Sequence, residues 1–254
     1  MVETRQIDGR AVTFRHEEGR GPSLVCIHGS AGNHHAYDLL VDALPGHDRY
    51  AINLPGRAGT DGPPLSAVAE MEVFLSSFLG SEVAGDYVIV GHSVGGGVAI
   101  EHALVSGSER LKGVVLLATG GRLRVHPMIL QLFDHVAEAG ALPPLPPGLF
   151  QRDADPELLA ETSKYLALTP FESASADWRA ADGFDRMQEL KQIQVPALIV
   201  AGTNDTFTPP KYAEYLAANI ADSEIHVIQG AGHMLFIERV PEVSEAIEEF
   251  MSRL

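Results

Sequence analysis

Cysteine, tryptophan and basic residues are scarce in this chain. The one cysteine, Cys26, stands in the apolar run "SLVCIHG". No intramolecular disulfide can form, so a disulfide scaffold is excluded. A free cysteine in such a run is expected to pack as a small buried hydrophobe. Lys and Arg number 18 against 34 Asp and Glu, a net charge of -16. That excess repels nucleic acid and anionic membrane surfaces, so neither is expected as a partner. No apolar run approaches the roughly 20 residues needed to span a bilayer. The opening "MVETRQIDGR" is polar from the third residue and has no apolar stretch of the kind a secretory signal carries. A cytoplasmic protein is the expectation.

What is present is ordinary for a globular chain: 254 residues, 45% hydrophobic and 20% charged. Short aliphatic runs alternate with segments of helical periodicity. "RQI" and "AVTFRH" flank Asp8-Gly9, a dipeptide that accepts the positive φ angles of a tight hairpin. "SLVCIHG", "RYAINLPG", "DYVIVGHS", "LKGVVLLATG", "VPALIVAGTND" and "EIHVIQGAGH" read as strands. "HHAYDLLVDAL", "LSAVAEMEVFLSSFLGSEV", "VGGGVAIEHALVSG", "PPKYAEYLAANI" and "VPEVSEAIEEFMSRL" read as helices. Aliphatic strands that do not alternate with polar residues point to a parallel sheet buried on both faces. The hairpin is expected as an antiparallel addition at one edge.

Residues 121–190 break this rhythm. They contain no convincing strand, and they include Pro143, Pro144, Pro146 and Pro147 in "ALPPLPPGLF". Helical pieces are expected around Ile129–Ala139, Pro156–Leu168 and Phe171–Met187. A structureless loop of this length is rare in a compact domain, so the segment reads as a helical cap inserted into a core of residues 1–120 and 191–254.

Three polar residues follow predicted strands, on the side where α/β sheets bind ligands. Ser93 stands in Gly91-His92-Ser93-Val94-Gly95, Asp205 after "ALIVAGTN" and His233 after "IHVIQGAG". A serine hydroxyl is a poor nucleophile until an imidazole takes its proton. A carboxylate must in turn orient that imidazole and stabilise its charged form. The flanking glycines permit a sharp strand-to-helix bend, which puts Ser93 at a helix N-terminus. An oxyanion hole needs two further donors. The N–H of Val94 is one, and the loop His28-Gly29-Ser30-Ala31-Gly32 supplies the other, with Ser30 preferred and Ala31 as the fallback. Asp205 has a plainer reading as an Asx-turn residue before "TFTPP". Asp182 and Asp185 are weaker acid candidates, since neither follows a strand.

These residues resemble the α/β-hydrolase superfamily. "HGSAGN" from His28, "NLPGRAGT" from Asn53, "GHSVGG" from Gly91, "GTNDTFTPP" from Gly202 and "GAGHMLFIERVPEV" from Gly230 occur in the superfamily's order across nearly the whole chain. The resemblance implies an α/β-hydrolase fold: a mostly parallel eight-stranded sheet flanked by helices, with an inserted helical cap. It also implies Ser93 as nucleophile, Asp205 as acid, His233 as base, and Ser30 and Val94 as the oxyanion hole. Asn53 departs from the frequent Asp, and Gly56-Arg57-Ala58-Gly59 departs from a frequent "GHG". That loop is mostly structural in the superfamily, so the departures leave the three residues in place.

The implied activity is a cofactor-free serine hydrolase acting on a small ester, thioester or lactone. A C–C bond hydrolase of aromatic-ring breakdown uses the same residues but usually carries a glycine- and proline-rich oxyanion loop, unlike "HGSAGN". A perhydrolase or haloperoxidase-type activity and a non-catalytic ligand receptor share the pattern too. Haloalkane dehalogenases and epoxide hydrolases need Asp where Ser93 stands. His92 is expected to be a packed neighbour at the substrate site rather than a second base, and His28 to brace the oxyanion loop. His34-His35 lacks a partner at ligand spacing, so no metal site is expected. Trp178, Phe171 and Phe184 are candidates for the inner wall of the cap or equally for its core. Arg122 and Arg124 are read as a solvated face at the start of the cap. The substrate and the oligomeric state are left open.

Overall fold

The computed structural model describes residues 1–139, 149–151 and 153–254. The four clustered prolines lie outside the described residues. In chain order the elements are β1 (Val2–Ile7), β2 (Arg10–Glu17), β3 (Arg20–Ile27), α1 (Asp38–Ala43), β4 (His47–Ile52), α2 (Val68–Glu82), β5 (Tyr87–His92), α3 (Val94–Val105) and β6 (Leu111–Leu117). Then follow α4 (Pro127–Ala139), α5 (Pro156–Leu166), α6 (Phe171–Gly183), β7 (Ala197–Gly202), α7 (Pro210–Asn219), β8 (Ser223–Ile228), α8 (Leu235–Glu238) and α9 (Val240–Met251).

The strands form one eight-stranded sheet in the order β1-β2-β4-β3-β5-β6-β7-β8. β1 pairs antiparallel with β2, and β2 with β4, while every later pairing is parallel. The hairpin does sit at one edge, turned by Asp8 at φ 49° and Gly9 at φ 78°. Both central residues take positive φ, as the twist of a two-residue hairpin demands.

Aliphatic runs make buried strands because successive side chains enter opposite cores. Val25 and Ile27 of β3 join Ile89, Val114, Leu116 and Ile199 in a cluster with α2, α3 and α7. Leu24 and Cys26 join Val88, Val90, Val115 and Leu198 in the other cluster, with α1, α8 and α9. Cys26 is buried, as its setting implied, and burial pushes its thiol pKa up to about 12. β8 differs from the sequence expectation. It is the edge strand and its Ile225 and Val227 are exposed, so two-sided burial does not extend to it.

Two helices also differ. "HHAYDLLVDAL" divides into a 3₁₀ turn at His34–Tyr37 and the short α1. The Asn33 side chain caps the turn by accepting from the His35 amide at 3.1 Å. The Tyr37 hydroxyl is drawn inward to the carbonyls of Ile27 and Val90, at 3.0 and 3.2 Å. α6 stops at Gly183, short of Met187, because Phe184 is extended and Asp185 bridges to Arg122.

The sheet topology determines where a site can form. β4 lies on one side of β3 and β5 on the other, so the loops leaving β3 and β5 separate above a crevice. Ile27 of β3 pairs with Gly91 of β5, which places the loop after His28 beside Ser93. β7 and β8 then bring their C-terminal loops, carrying Asp205 and His233, to the same edge. Helices α4, α5 and α6 come from the stretch between β6 and β7.

Candidate active site

Ser93 occupies the corner between β5 and α3 at φ 53° and ψ -118°, a region a non-glycine residue enters only under constraint. The glycines on either side allow the corner. A Cβ on Gly91 would lie 2.3 Å from the Gly95 carbonyl, and one on Gly95 would lie 2.2 Å from the Ile27 carbonyl. The bend is anchored by the Ser93 amide donating to Leu117 O at 3.0 Å and by Thr119 Oγ1 donating to Ser93 O at 2.7 Å. Gly96 and Gly97 amides take up the same Ser93 carbonyl at 2.9 and 3.2 Å.

His233 is buried, and its Nδ1 lies 2.8 Å from Asp205 Oδ2. Thr208 Oγ1 donates to the same oxygen at 2.7 Å. The other carboxylate oxygen accepts the amides of Phe207 and Thr208, at 2.8 and 2.9 Å. Asp205 therefore serves both sequence readings at once, forming an Asx turn through Oδ1 and a histidine contact through Oδ2. Burial works against its ionisation, but His233 and these donors outweigh it and hold the carboxyl pKa at about 2. Asp182 and Asp185 are engaged elsewhere, with the Val125 amide and with Arg122.

Ser93 and His233 share a cavity of about 370 Å³ with Ser30, His92, Trp178, Phe207 and Met234. His92 donates Nε2–H to the His233 carbonyl at 3.1 Å. Burial pushes its pKa well below the ordinary histidine value, so its ring is neutral. His28 braces its loop, with Nδ1 donating to Gly29 O at 2.9 Å and Nε2 accepting the Leu54 amide at 3.3 Å. Trp178 lines the cavity, whereas Phe171 stands behind it, stacked on Phe133 at 5.5 Å. Phe184 belongs to the core beneath, against Gly97. Arg122 is half-exposed beside Asp185.

The Ala31 amide is committed to Asp177 Oδ2 at 2.9 Å, which removes the fallback oxyanion donor. Among the described residues the Ser30 and Val94 amides have no partner in the chain. Asp177, on α6, also receives a two-pronged bond from Arg57, Nη1 to Oδ2 at 2.6 Å and Nη2 to Oδ1 at 2.8 Å. Arg57 Nη1 further donates to Gly32 O at 3.2 Å. Sequence reasoning flagged Arg57 only as a departure and missed Asp177, because the pair lies 120 residues apart and shares no motif. Thr208 was missed as well, because an Asx turn is read from the aspartate and the backbone that follows it and does not single out a hydroxyl three residues on.

His34 bonds Asn53 and His35 bonds Asp38, through their Nδ1 atoms. Among the described residues no group of three or more His, Cys, Asp or Glu side chains is placed to hold a metal ion. No described helix is long and apolar enough to cross a membrane.

A profile described as the alpha/beta hydrolase family matches residues 24–246. An uncharacterised hydrolase of Bacillus subtilis, YugF, is 25% identical over 96% of each chain. A solved thermophilic esterase is 30% identical, with a TM-score of 0.83 over 100% of this chain and 98% of its own. The esterase of Exiguobacterium antarcticum shares the fold at a TM-score of 0.88 and 18% identity, over 99% of this chain and 100% of its own. The agreement of sheet order, corner serine and family profile has one meaning: this chain belongs to the alpha/beta hydrolase family.

Proposed function

We propose that the protein is a serine hydrolase that cleaves a small ester, thioester or lactone through an acyl-enzyme on Ser93. The observation that carries this reading is the buried 2.8 Å contact between His233 Nδ1 and Asp205 Oδ2, with His233 and Ser93 on the wall of one cavity. The similarity to a thermophilic esterase at 30% identity supports it.

Ser93 Oγ attacks the substrate carbonyl while His233 Nε2 takes its proton. Asp205 keeps the Nδ1–H tautomer and stabilises the imidazolium that forms. The amides of Ser30 and Val94, unpartnered within the described chain, receive the oxyanion. The start of α3 adds its dipole at the same point. His233 then returns the proton to the leaving alcohol, and water repeats the sequence on the acyl-enzyme. Residues 121–190 act as a cap over this site, on a core of residues 1–120 and 191–254. Ile129, Leu132 and Phe133 of α4 and Trp178 of α6 line the cavity and give it a mainly apolar wall. A small acyl compound is the partner, and the reaction needs no cofactor.

A fluorophosphonate probe tests the reading, together with a panel of p-nitrophenyl esters and lactones. The probe is expected to label wild type and not Ser93→Ala, and the panel to show turnover that the variant loses. A folded wild-type protein that stays unlabelled overturns the proposal. A dienolic diketone cleaved faster than simple esters would move it to C–C bond hydrolysis.

A further inference from the structure

Phe207 stands in the loop between β7 and α7, two residues after Asp205. Its amide donates to Asp205 Oδ1 at 2.8 Å, so the turn that orients the carboxylate also fixes this residue. The Phe207 ring lies 5.1 Å from the His233 ring between centroids, with 31° between the planes. Rings that close and that nearly parallel meet as an offset stack, face over face, not edge to edge. The Trp178 ring adjoins Phe207 in turn, at 6.2 Å and 32°.

An imidazole asks more of its neighbours once it is charged. Taking the serine proton turns His233 into an imidazolium, whose charge is spread over the ring. The face of a phenyl ring is the negative side of its quadrupole and attracts a cation within about 6 Å of the centroid. That attraction strengthens where water is excluded, and His233 is only 3% exposed. The other groups around the ring do not take this place. Asp205 Oδ2 and Thr208 Oγ1 face the Nδ1 edge, at 2.8 and 3.3 Å. The His92 ring lies 4.7 Å away at 54°, and burial keeps it neutral. Glu238 of α8 accepts the neighbouring Gly232 amide at 3.2 Å, and burial raises its pKa.

Resting on the hydrolase reading of Ser93, we propose that the face of the Phe207 ring stabilises the imidazolium that His233 becomes, which makes Phe207 a further catalytic residue. The neutral imidazole of the resting enzyme gains less from the same face. The contact therefore favours the transition state over the ground state, and such interactions raise kcat. Acylation and deacylation benefit alike, because each places a proton on His233.

The test withdraws electron density from the ring without changing its shape. Phe207 is replaced, by nonsense suppression, with 4-fluoro-, 3,5-difluoro- and 3,4,5-trifluorophenylalanine. On p-nitrophenyl butyrate kcat is expected to fall stepwise along the series, by about fivefold at the trifluoro ring. The acid limb of the kcat/KM profile should move to lower pH in the same order, by about 0.7 pH unit at the trifluoro ring. Phe207→Leu, which has no ring, should match the trifluoro variant. KM should stay near its wild-type value, and urea midpoints check that folding is intact. Level kcat along the fluorinated series overturns the proposal, even if Phe207→Leu is impaired, because the ring would then serve packing alone. A fall in kcat with no movement of the acid limb also overturns it. Phe207 lines the cavity, and the fluorines would then be acting on the substrate.

The contact can be read without turnover. The ring signals of His233, assigned by their loss in His233→Gln, are followed by NMR against pH. They should titrate at lower pH in the trifluoro variant than in wild type, and coincident curves would overturn the proposal. If wild type cleaves no ester and Ser93 stays unlabelled by a fluorophosphonate, the hydrolase reading fails, and this titration still decides the ring contact separately.

Discussion

Asp177 and Arg57 form a two-pronged ion pair with both side chains wholly out of solvent, and Asp177 also holds the Ala31 amide. One carboxylate therefore links helix α6, the loop after β4 and the loop that carries Ser30. Burial raises the Asp177 pKa, and the guanidinium and the amide act against that rise. Ala31 stands at φ 61°. The bond from its amide to Asp177 holds this left-handed turn and leaves the neighbouring Ser30 amide free.

Breaking the pair on one side strands a buried charge. Asp177→Asn is expected to cost about 3 kcal/mol of unfolding free energy. Replacing both partners, as Arg57→Met with Asp177→Leu, should recover most of that stability. It should leave kcat on any accepted ester depressed, because the Ala31 amide still lacks its acceptor. Chemical denaturation and ester kinetics on the two variants check this. Full recovery of kcat in the double variant would show that the pair serves stability alone.

Asp205→Asn keeps the size of the side chain but offers the wrong partner to His233. The expected loss in kcat is about 10⁴-fold, through the wrong imidazole tautomer. The Phe207 and Thr208 amides still have an oxygen to donate to, so folding should survive. A circular dichroism melt beside the ester assay separates the two effects. A variant within tenfold of wild type would remove Asp205 from the proposed triad.

Stability should fall on the acid side from near neutrality. Burial holds His28 and His92 well below their ordinary value of 6.5 in the folded state. The unfolded chain then binds more protons than the folded one as pH drops below about 6.5, so the unfolding free energy declines with pH. Asp205, lowered from 3.8 to about 2, adds a further loss across that lower interval. Urea midpoints measured between neutral pH and pH about 5 check the first part. A flat profile there would contradict the buried neutral histidines.

The Cys26 thiol, pushed up to about 12 by burial, should be inert in the folded protein. A disulfide-exchange reagent at mildly alkaline pH is expected to find no reactive thiol until denaturant is added, and then one per chain. Rapid labelling without denaturant would mean that β3 opens locally.

The fold was largely legible in the sequence because its causes are local. Aliphatic runs such as "YVIV" and "ALIVA", separated by helical periodicity, leave little choice but a buried parallel sheet. Asp8-Gly9 marks the hairpin through its own backbone preferences. The misreadings came where a neighbour overrode the local pattern. β8 is aliphatic yet half-exposed because no strand lies beyond it. "HHAYDLLVDAL" has helical spacing, yet it breaks at Tyr37, whose hydroxyl is bonded to Ile27 and Val90.

The candidate site divides along the same line. By itself, the sequence determined that Ser93, Asp205 and His233 each end a strand of one parallel sheet, because strand, glycine and turn are written in adjacent residues. Only the tertiary structure decided what surrounds them. Arg57 and Asp177 meet across 120 residues of chain, and Trp178 reaches the cavity through ring contacts with Phe133 and Phe207. Contacts of that range depend on how the helices between β6 and β7 dock on the sheet, and no short window of sequence encodes that docking.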